Sequence, residues 1–266
     1  MKNSNRIVFI DYVRVIACFL VMLVHASENF YCISADTTML ANESNRFWVA
    51  FYDGALGRMS VPLFMVVSAF LLVPVKPNVS MSDFYKHRFK RIIPPLVFFM
   101  LIYCSGYLGY LVIAHYIRVH LKWDRAKRLK VGIGSFVAGA AFTAWSAWHA
   151  GVPGIVMQTP SYEWSWEFCT PNVLLATFGA FLIFTCIKRQ EAHPWITGIS
   201  KLTFGMYLMH ILFLSNIAPL FMPEGPAQPV LPVAVTIPCM AVLCFVCCVV
   251  TTKLISLIPG SKWIIG

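Results

Sequence analysis

The stretch DYVRVIACFLVMLVHAS, residues 11–27, decides how the rest of this 266-residue chain is read. It is apolar over about the length a helix needs to cross a bilayer. Asp11, Arg14 and His25 nevertheless interrupt it. A charged side chain at the bilayer centre costs about 2.5–3.5 kcal/mol on insertion scales, so an ionisable residue kept there marks a functional site by default. Arg14 and His25 stand eleven positions apart. At about 100° and 1.5 Å per residue that returns to within about 20° of the same face, roughly 16 Å along the axis. One stripe therefore carries both groups, and two readings fit it. The stripe lines a hydrated cleft inside a bundle, with His25 as a proton acceptor; or Arg14 pairs with Asp11 near one interface and His25 lies near the other.

The composition generalises the membrane reading. The chain is 59% hydrophobic and 12% charged, with mean hydropathy +0.71, against about 25% charged residues in a soluble domain. Continuous apolar runs recur along its length, and only helices satisfy the backbone in such segments. The expected fold is all-α: one polytopic transmembrane helical bundle over residues 1–266, with six to eight membrane segments. The net charge of +10 is gathered in short clusters between apolar runs. That is the pattern of topology signals and of contacts to lipid headgroups or anionic ligands, not of nucleic-acid binding. Seven of the nine cysteines (18, 104, 186, 239, 244, 247, 248) lie inside apolar segments and behave as small hydrophobes. The CFVCC run has no His or carboxylate nearby, so no metal is expected. Cys32 and Cys169 fall in outer loops, where a disulfide between them is open. Lys2 and Arg6 precede the first apolar run; Asp11 and Arg14 within it and the poor cleavage site HAS make it an uncleaved span with a cytoplasmic N-terminus.

Threading follows the basic clusters. Residues 7–27 cross outward, and 28–58, acidic on balance, lie outside. The run MSVPLFMVVSAFLLVPV returns to KHRFKR (86–91), and RVHLKWDRAKRLK (118–130) is again inside. Residues 131–148 cross out, HAGVPGIVMQTPSYEWSWEFC forms an outer loop, 170–187 return, 202–222 cross out and 230–252 return. Residues 92–117 break the pattern, since one crossing cannot join two inside loops. Either they form a re-entrant hairpin broken near Ser105-Gly106, which other helices must cover, or an even number of crossings is absent.

Four stretches, in order, resemble a known family. IDYVRVIACFLVMLVHAS (10–27), with its Arg-x10-His pattern, resembles the first span of membrane acyltransferase family 3. RMSVPLFMVVSAFLL (58–72) is similar to that family's second span, with Ser68-Ala69 where Ser-Gly is usual. FYKHRFKRIIPPL (84–96) resembles the segment leading into the third, and KLTFGMYLMHI (201–211) a late span. The resemblance covers about residues 6–252. It implies transfer of an acyl group, commonly acetyl, from cytoplasmic acyl-CoA to a hydroxyl of a surface glycan or glycolipid, in a bacterial inner membrane. His25 and Arg14 become the catalytic pair and Arg58 a further essential cation. The family usually has more spans between KRIIPP and GYLGYLVIAHYIR. Here the two abut near 104–105, which places the missing even number of crossings at an internal deletion.

In that chemistry His25 takes the proton of the acceptor hydroxyl. Arg14 binds an oxyanion or phosphates through a guanidinium that stays charged. Arg88, Lys90 and Arg91 grip the CoA phosphates, or serve only as a positive-inside anchor. Arg58 has a plain alternative as an interface anchor whose charge snorkels to water. His210 reads as a satisfied interior histidine. Glu163, Glu167, Trp164 and Trp166 form an interfacial belt or a glycan platform. Two rival functions stand: a non-catalytic remnant of the same fold, and a small-molecule transporter lined by Arg14 and His25. Transporter folds commonly carry internal repeats, and the Arg-x10-His stripe does not recur in the second half.

Overall fold

The computed structural model describes residues 7–72, 107, 109–189 and 191–261. The first helix, α1 (Val8–Glu28), is the axis of the assembly, with thirteen of its 21 residues buried. It runs apolar on all sides because neighbours surround it: α3 (Ser60–Leu72), α6 (Pro171–Thr185), α7 (Pro194–Ser200), α8 (Thr203–Phe221) and α9 (Val233–Ile255). Among the described residues, five stretches are long and apolar enough to span a bilayer: Val8–Glu28, Glu43–Leu71, Arg125–Ala150, Thr203–Phe221 and Val233–Ile255. The helix α6 has 15 residues and reaches only about 22 Å, shorter than expected for a crossing over 170–187. Leu212, Leu220, Val242 and Val250 on α8 and α9 are exposed, as lipid-facing positions of a bundle are.

The second span starts earlier than its hydropathy suggests. Residues 28–58 read as an outer loop, yet α2 (Glu43–Val49) begins within them. The side chain of Asn42 accepts a hydrogen bond from the backbone N–H of Asn45 at 2.9 Å and so starts the helix. A π-helical segment over Ala50–Gly57 carries the chain into α3. Asp53 and Arg58 disguise this helix in the sequence; the structure neutralises each with the other.

Helices α4 (Arg125–Ala150) and α6 pack backbone to backbone. A Cβ at Gly139 would lie 2.4 Å from the carbonyl oxygen of Asn172, and one at Gly179 2.3 Å from the backbone nitrogen of Phe136. Small residues supply close approach where no hydrophobic drive operates between helices. Between these spans, β1 (Thr37–Thr38) pairs antiparallel with β2 (Met157–Gln158), Thr37 opposite Gln158. The short helix α5 (Thr159–Glu163) follows at once. This ribbon ties the loop after α1 to the loop after α4. Of the 92–117 stretch, residues 109–115 are helical and pass into a π turn at Tyr116–His120; its hairpin break at 105–106 lies outside the described residues. Cys32 and Cys169 are free thiols.

Candidate active site

Three positions seven apart on α1 meet the α7–α8 segment in sequence. The Ser200 hydroxyl donates to Asp11 Oδ1 at 2.7 Å, Cys18 Sγ lies 3.8 Å from the carbonyl oxygen of Thr203, and the rings of His25 and His210 are 5.0 Å apart. A seven-residue step drifts only about 20° on a helix. The stripe bearing Arg14, half-buried, and His25 is thus turned toward another helix of the bundle.

At the far end of that stripe, His25 Nδ1 is 2.5 Å from Glu28 Oε2, and both side chains are 31% exposed. A carboxylate only accepts, so Nδ1 carries the hydrogen and Nε2 keeps the basic lone pair. Asn29 closes the helix end, its amide donating to the carbonyl of His25 at 2.8 Å. Next to this pair opens a cleft of about 260 Å³, bounded by Glu28, Asn29 and Cys32 on one side and Ile211, Leu214 and Ser215 on the other. A base whose tautomer is fixed by an acid, beside a half-polar cleft, can deprotonate a hydroxyl.

The other charged assembly is sealed. On an α-helix, Asp53 and Arg58 would point about 140° apart. The π segment closes a bond from the Arg58 N–H to the Asp53 carbonyl at 3.0 Å and brings them onto one face. Arg58 Nε then sits 2.7 Å from Asp53 Oδ1, a charge contact rather than an aligned hydrogen bond. The terminal nitrogen Nη2 donates to Asp53 Oδ2 at 2.8 Å and to the Tyr31 hydroxyl at 2.9 Å, and approaches Glu163 Oε1 at 3.3 Å. Tyr31 has one proton to give and two carboxylates within reach, Glu163 at 2.8 Å and Asp53 at 3.0 Å. The guanidinium lies over Trp166, 4.4 Å from the ring centre. Burial, reinforced by Asp53, holds the Tyr31 hydroxyl well above its usual range against the opposing pull of Arg58, so it remains a donor. Gly57 lets α1 approach: a Cβ there would stand 2.4 Å from Val24 Cγ2.

Arg58 is therefore neither a snorkelling anchor nor open to a substrate. It is 6% exposed, and its Nη2 donates to Asp53 and Tyr31. The outer-loop residues divide likewise: Glu163 joins Arg58, Trp166 is fully buried as a roof over it, and Trp164 is 61% exposed. His210 is only half satisfied. Its Nδ1 is bonded to the Tyr207 carbonyl, and Nε2 has no protein partner among the described residues. Arg88, Lys90 and Arg91 lie outside the described residues. Among the described residues no group of three or more His, Cys, Asp or Glu could hold a metal ion.

Sequence reasoning missed Glu28, although the spacing His25-x-x-Glu28 puts it one turn on. It also missed Asp53 and Tyr31 as partners of Arg58. A five-residue spacing signals nothing under α-helical periodicity, and Tyr31 and Glu163 are 132 residues apart.

The sequence model of acyltransferase family 3, an acyltransferase domain, matches residues 7–117 and again 104–253. The chain belongs to acyltransferase family 3. No match was found among curated proteins or among solved structures. Family 3 membership and the apolar helices make the chain a multi-pass membrane acyltransferase.

Proposed function

We propose that this chain is an O-acyltransferase of the bacterial inner membrane that moves an acyl group, acetyl foremost, from acyl-CoA to a hydroxyl of a cell-surface glycan or glycolipid. The His25–Glu28 pair opening on the cleft carries this reading. Glu28 holds the Nδ1 hydrogen and leaves Nε2 to take the proton of the acceptor hydroxyl as its oxygen bonds to the acyl carbon. The C–S bond then breaks and the proton passes to the departing thiolate.

Arg14 has a different task. It stands about 16 Å down the helix from His25, too far for both to touch one carbonyl. Arg14 therefore suits the anionic end of an extended donor whose thioester lies near His25, with Arg88, Lys90 and Arg91 as further phosphate contacts. Arg58 acts by position, fixing the loop after α1 and the 151–170 loop around the cleft. The cleft volume suits one hydroxylated ring, with Asn29 and Ser215 as polar contacts. The double family match, meeting at 104–117, supports a chain shortened internally near 104–105.

The test is transfer of labelled acetyl from acetyl-CoA to glycan or glycolipid in membranes expressing the chain. His25→Ala and Arg14→Ala should each abolish it at unchanged protein level. No transfer by correctly inserted wild-type protein would leave the non-catalytic remnant standing. Thiol-accessibility labelling of cysteines introduced on both sides of 92–117 should find both flanks on one membrane face.

A further inference from the structure

The cleft beside His25 lies deep in the membrane, and its depth governs how an acceptor reaches it. Helices α1 and α8 run in step: Cys18 lies beside Thr203, and His25 lies beside His210, seven residues on in each. A third helix gives the level. Cys244 Sγ is 3.4 Å from the carbonyl oxygen of His210, and Cys244 is the central residue of the 23-residue α9. Among the described residues α9 is the most apolar span. At about 1.5 Å per residue each half of α9 reaches about 16 Å. His210 and His25 therefore sit near the middle of a hydrocarbon core about 30 Å thick. Beyond that level α8 climbs another eleven residues to Phe221, about 16 Å, whereas α1 stops three residues past His25, at Glu28.

Helix α8 thus stands over the cleft as a wall. Along it Phe204, Leu208, Ile211, Leu212, Ser215 and Asn216 form one exposed stripe at helical spacing. Ile211, 49% exposed, and Ser215 belong both to this stripe and to the cleft lining, so the mouth of the cleft is continuous with a lipid-facing surface. Ser215 and Asn216 are the polar pair in that apolar stripe. The Ser215 hydroxyl donates to the Ile211 carbonyl at 2.7 Å, and the Asn216 amide to the Leu212 carbonyl at 2.7 Å, so toward a ligand each presents an oxygen acceptor. Hydrogen-bonding groups beside a polar cleft, flanked by apolar side chains at mid-depth, suit a polar head that carries an apolar tail. A water-borne polymer would have to lower a hydroxyl about half the thickness of the bilayer, whereas an amphiphile is already held there by its chain. We propose that the acceptor is a short lipid-anchored glycan that enters sideways past Ile211 and Ser215, with the sugar next to its anchor in the cleft and its chain along Leu208 and Leu212. The step balances: the hydroxyl oxygen bonds to the acyl carbon, the C–S bond breaks, and the hydroxyl proton passes through His25 to the thiolate.

This rests on the acyl-transfer reading with His25 as the base, and the experiment separates the two. Labelled acetyl from acetyl-CoA is followed in membranes of the bacterium that carries the chain. Early samples are split into a chloroform–methanol extract, a water-soluble fraction and insoluble polymer. The label should enter the extract first, as a base-labile ester on a sugar-containing lipid. In Ser215→Trp, which fills the mouth, transfer into that lipid should fall about tenfold or more while KM for acetyl-CoA holds. Label that reaches polymer without passing through lipid overturns the proposal and leaves acyl transfer standing. Label on sugar-free lipid does the same, as does a fully active Ser215→Trp. The partition is read on the unaltered chain, so it decides even where the variant folds poorly. No label in any fraction, or the same label with His25→Ala, brings down the underlying reading instead.

Discussion

Two charged assemblies flank the loop that follows α1, and they are built alike and used differently. At the cleft, His25 and Glu28 form a pair 31% exposed on both sides, with one imidazole nitrogen left uncommitted. Around Arg58, two carboxylates, a phenol and an indole enclose a guanidinium that keeps 8% of its side chain exposed. A group that does chemistry needs a free valence facing a space a substrate can enter. A group that holds structure has its valences filled by protein, and water kept out. The difference lies in which donors and acceptors remain open, since both assemblies pair charges at short range.

The sharpest way to break that contrast is to remove Arg58. Arg58→Ala leaves Asp53 buried without its counter-charge, a situation that costs about 3–5 kcal/mol. It should lower the melting temperature in detergent and loosen the 151–170 loop to proteolysis. Replacing both partners, Asp53→Leu with Arg58→Met, should recover much of that loss, because a buried ion pair is commonly matched by well-packed apolar groups. If Arg58→Ala melts like wild type and loses activity alone, the sealed assembly is part of the chemistry and the division fails.

His25→Ala should behave in the opposite way. The imidazole is half-exposed and its removal frees Glu28 to water, so melting should hold. General-base loss predicts a 10²–10⁴-fold fall in acyl transfer. Glu28→Gln should fall between that variant and wild type, since the amide still occupies the site while no longer favouring the correct tautomer and imidazolium. A Glu28→Gln protein as active as wild type would show that the 2.5 Å contact does not orient the base.

The sequence and the structure part company where secondary structure departs from α-helical spacing. Arg14 and His25 were legible because both lie on a regular α-helix, where eleven residues close three turns. The Asp53–Arg58 pair was not, because its spacing of five points nowhere until a π segment changes the turn. Charge also hid the start of the second span: Asp53 and Arg58 lower its hydropathy exactly as an outer loop would, and only their mutual neutralisation restores a helix through residues 43–71. The Glu163 and Trp166 roof was visible as an acidic, aromatic loop, but its target lies more than 100 residues away and required the tertiary fold. The small-residue seam between α4 and α6 reads in sequence as three scattered glycines, Gly132, Gly139 and Gly179, of no particular meaning.

The smallest effect concerns Cys32, which lies between the two assemblies and reports on both. Its side chain reaches the rim of the cleft, yet burial by the surrounding protein, then the negative charges of Glu28, Glu163 and Asp53, push its thiol up to about 12 against a hydrogen bond to Tyr31. Only the thiolate attacks an alkylating reagent, and with such a thiol its share at pH 8 is on the order of 10⁻⁴. Alkylation at Cys32, followed site by site by mass spectrometry, should therefore be slow at neutral pH and rise about tenfold for each pH unit below the thiol's own range. Glu28→Gln removes the negative charge that acts most strongly on the thiol, lowers that range and should speed the reaction at fixed pH. The sign decides the matter: a slower reaction in Glu28→Gln would mean that the carboxylate does not hold the thiol in its neutral form. Once attached, the reagent fills the space beside His25 and should stop acyl transfer while the Arg58 assembly, closed behind Tyr31, keeps the melting temperature where it was.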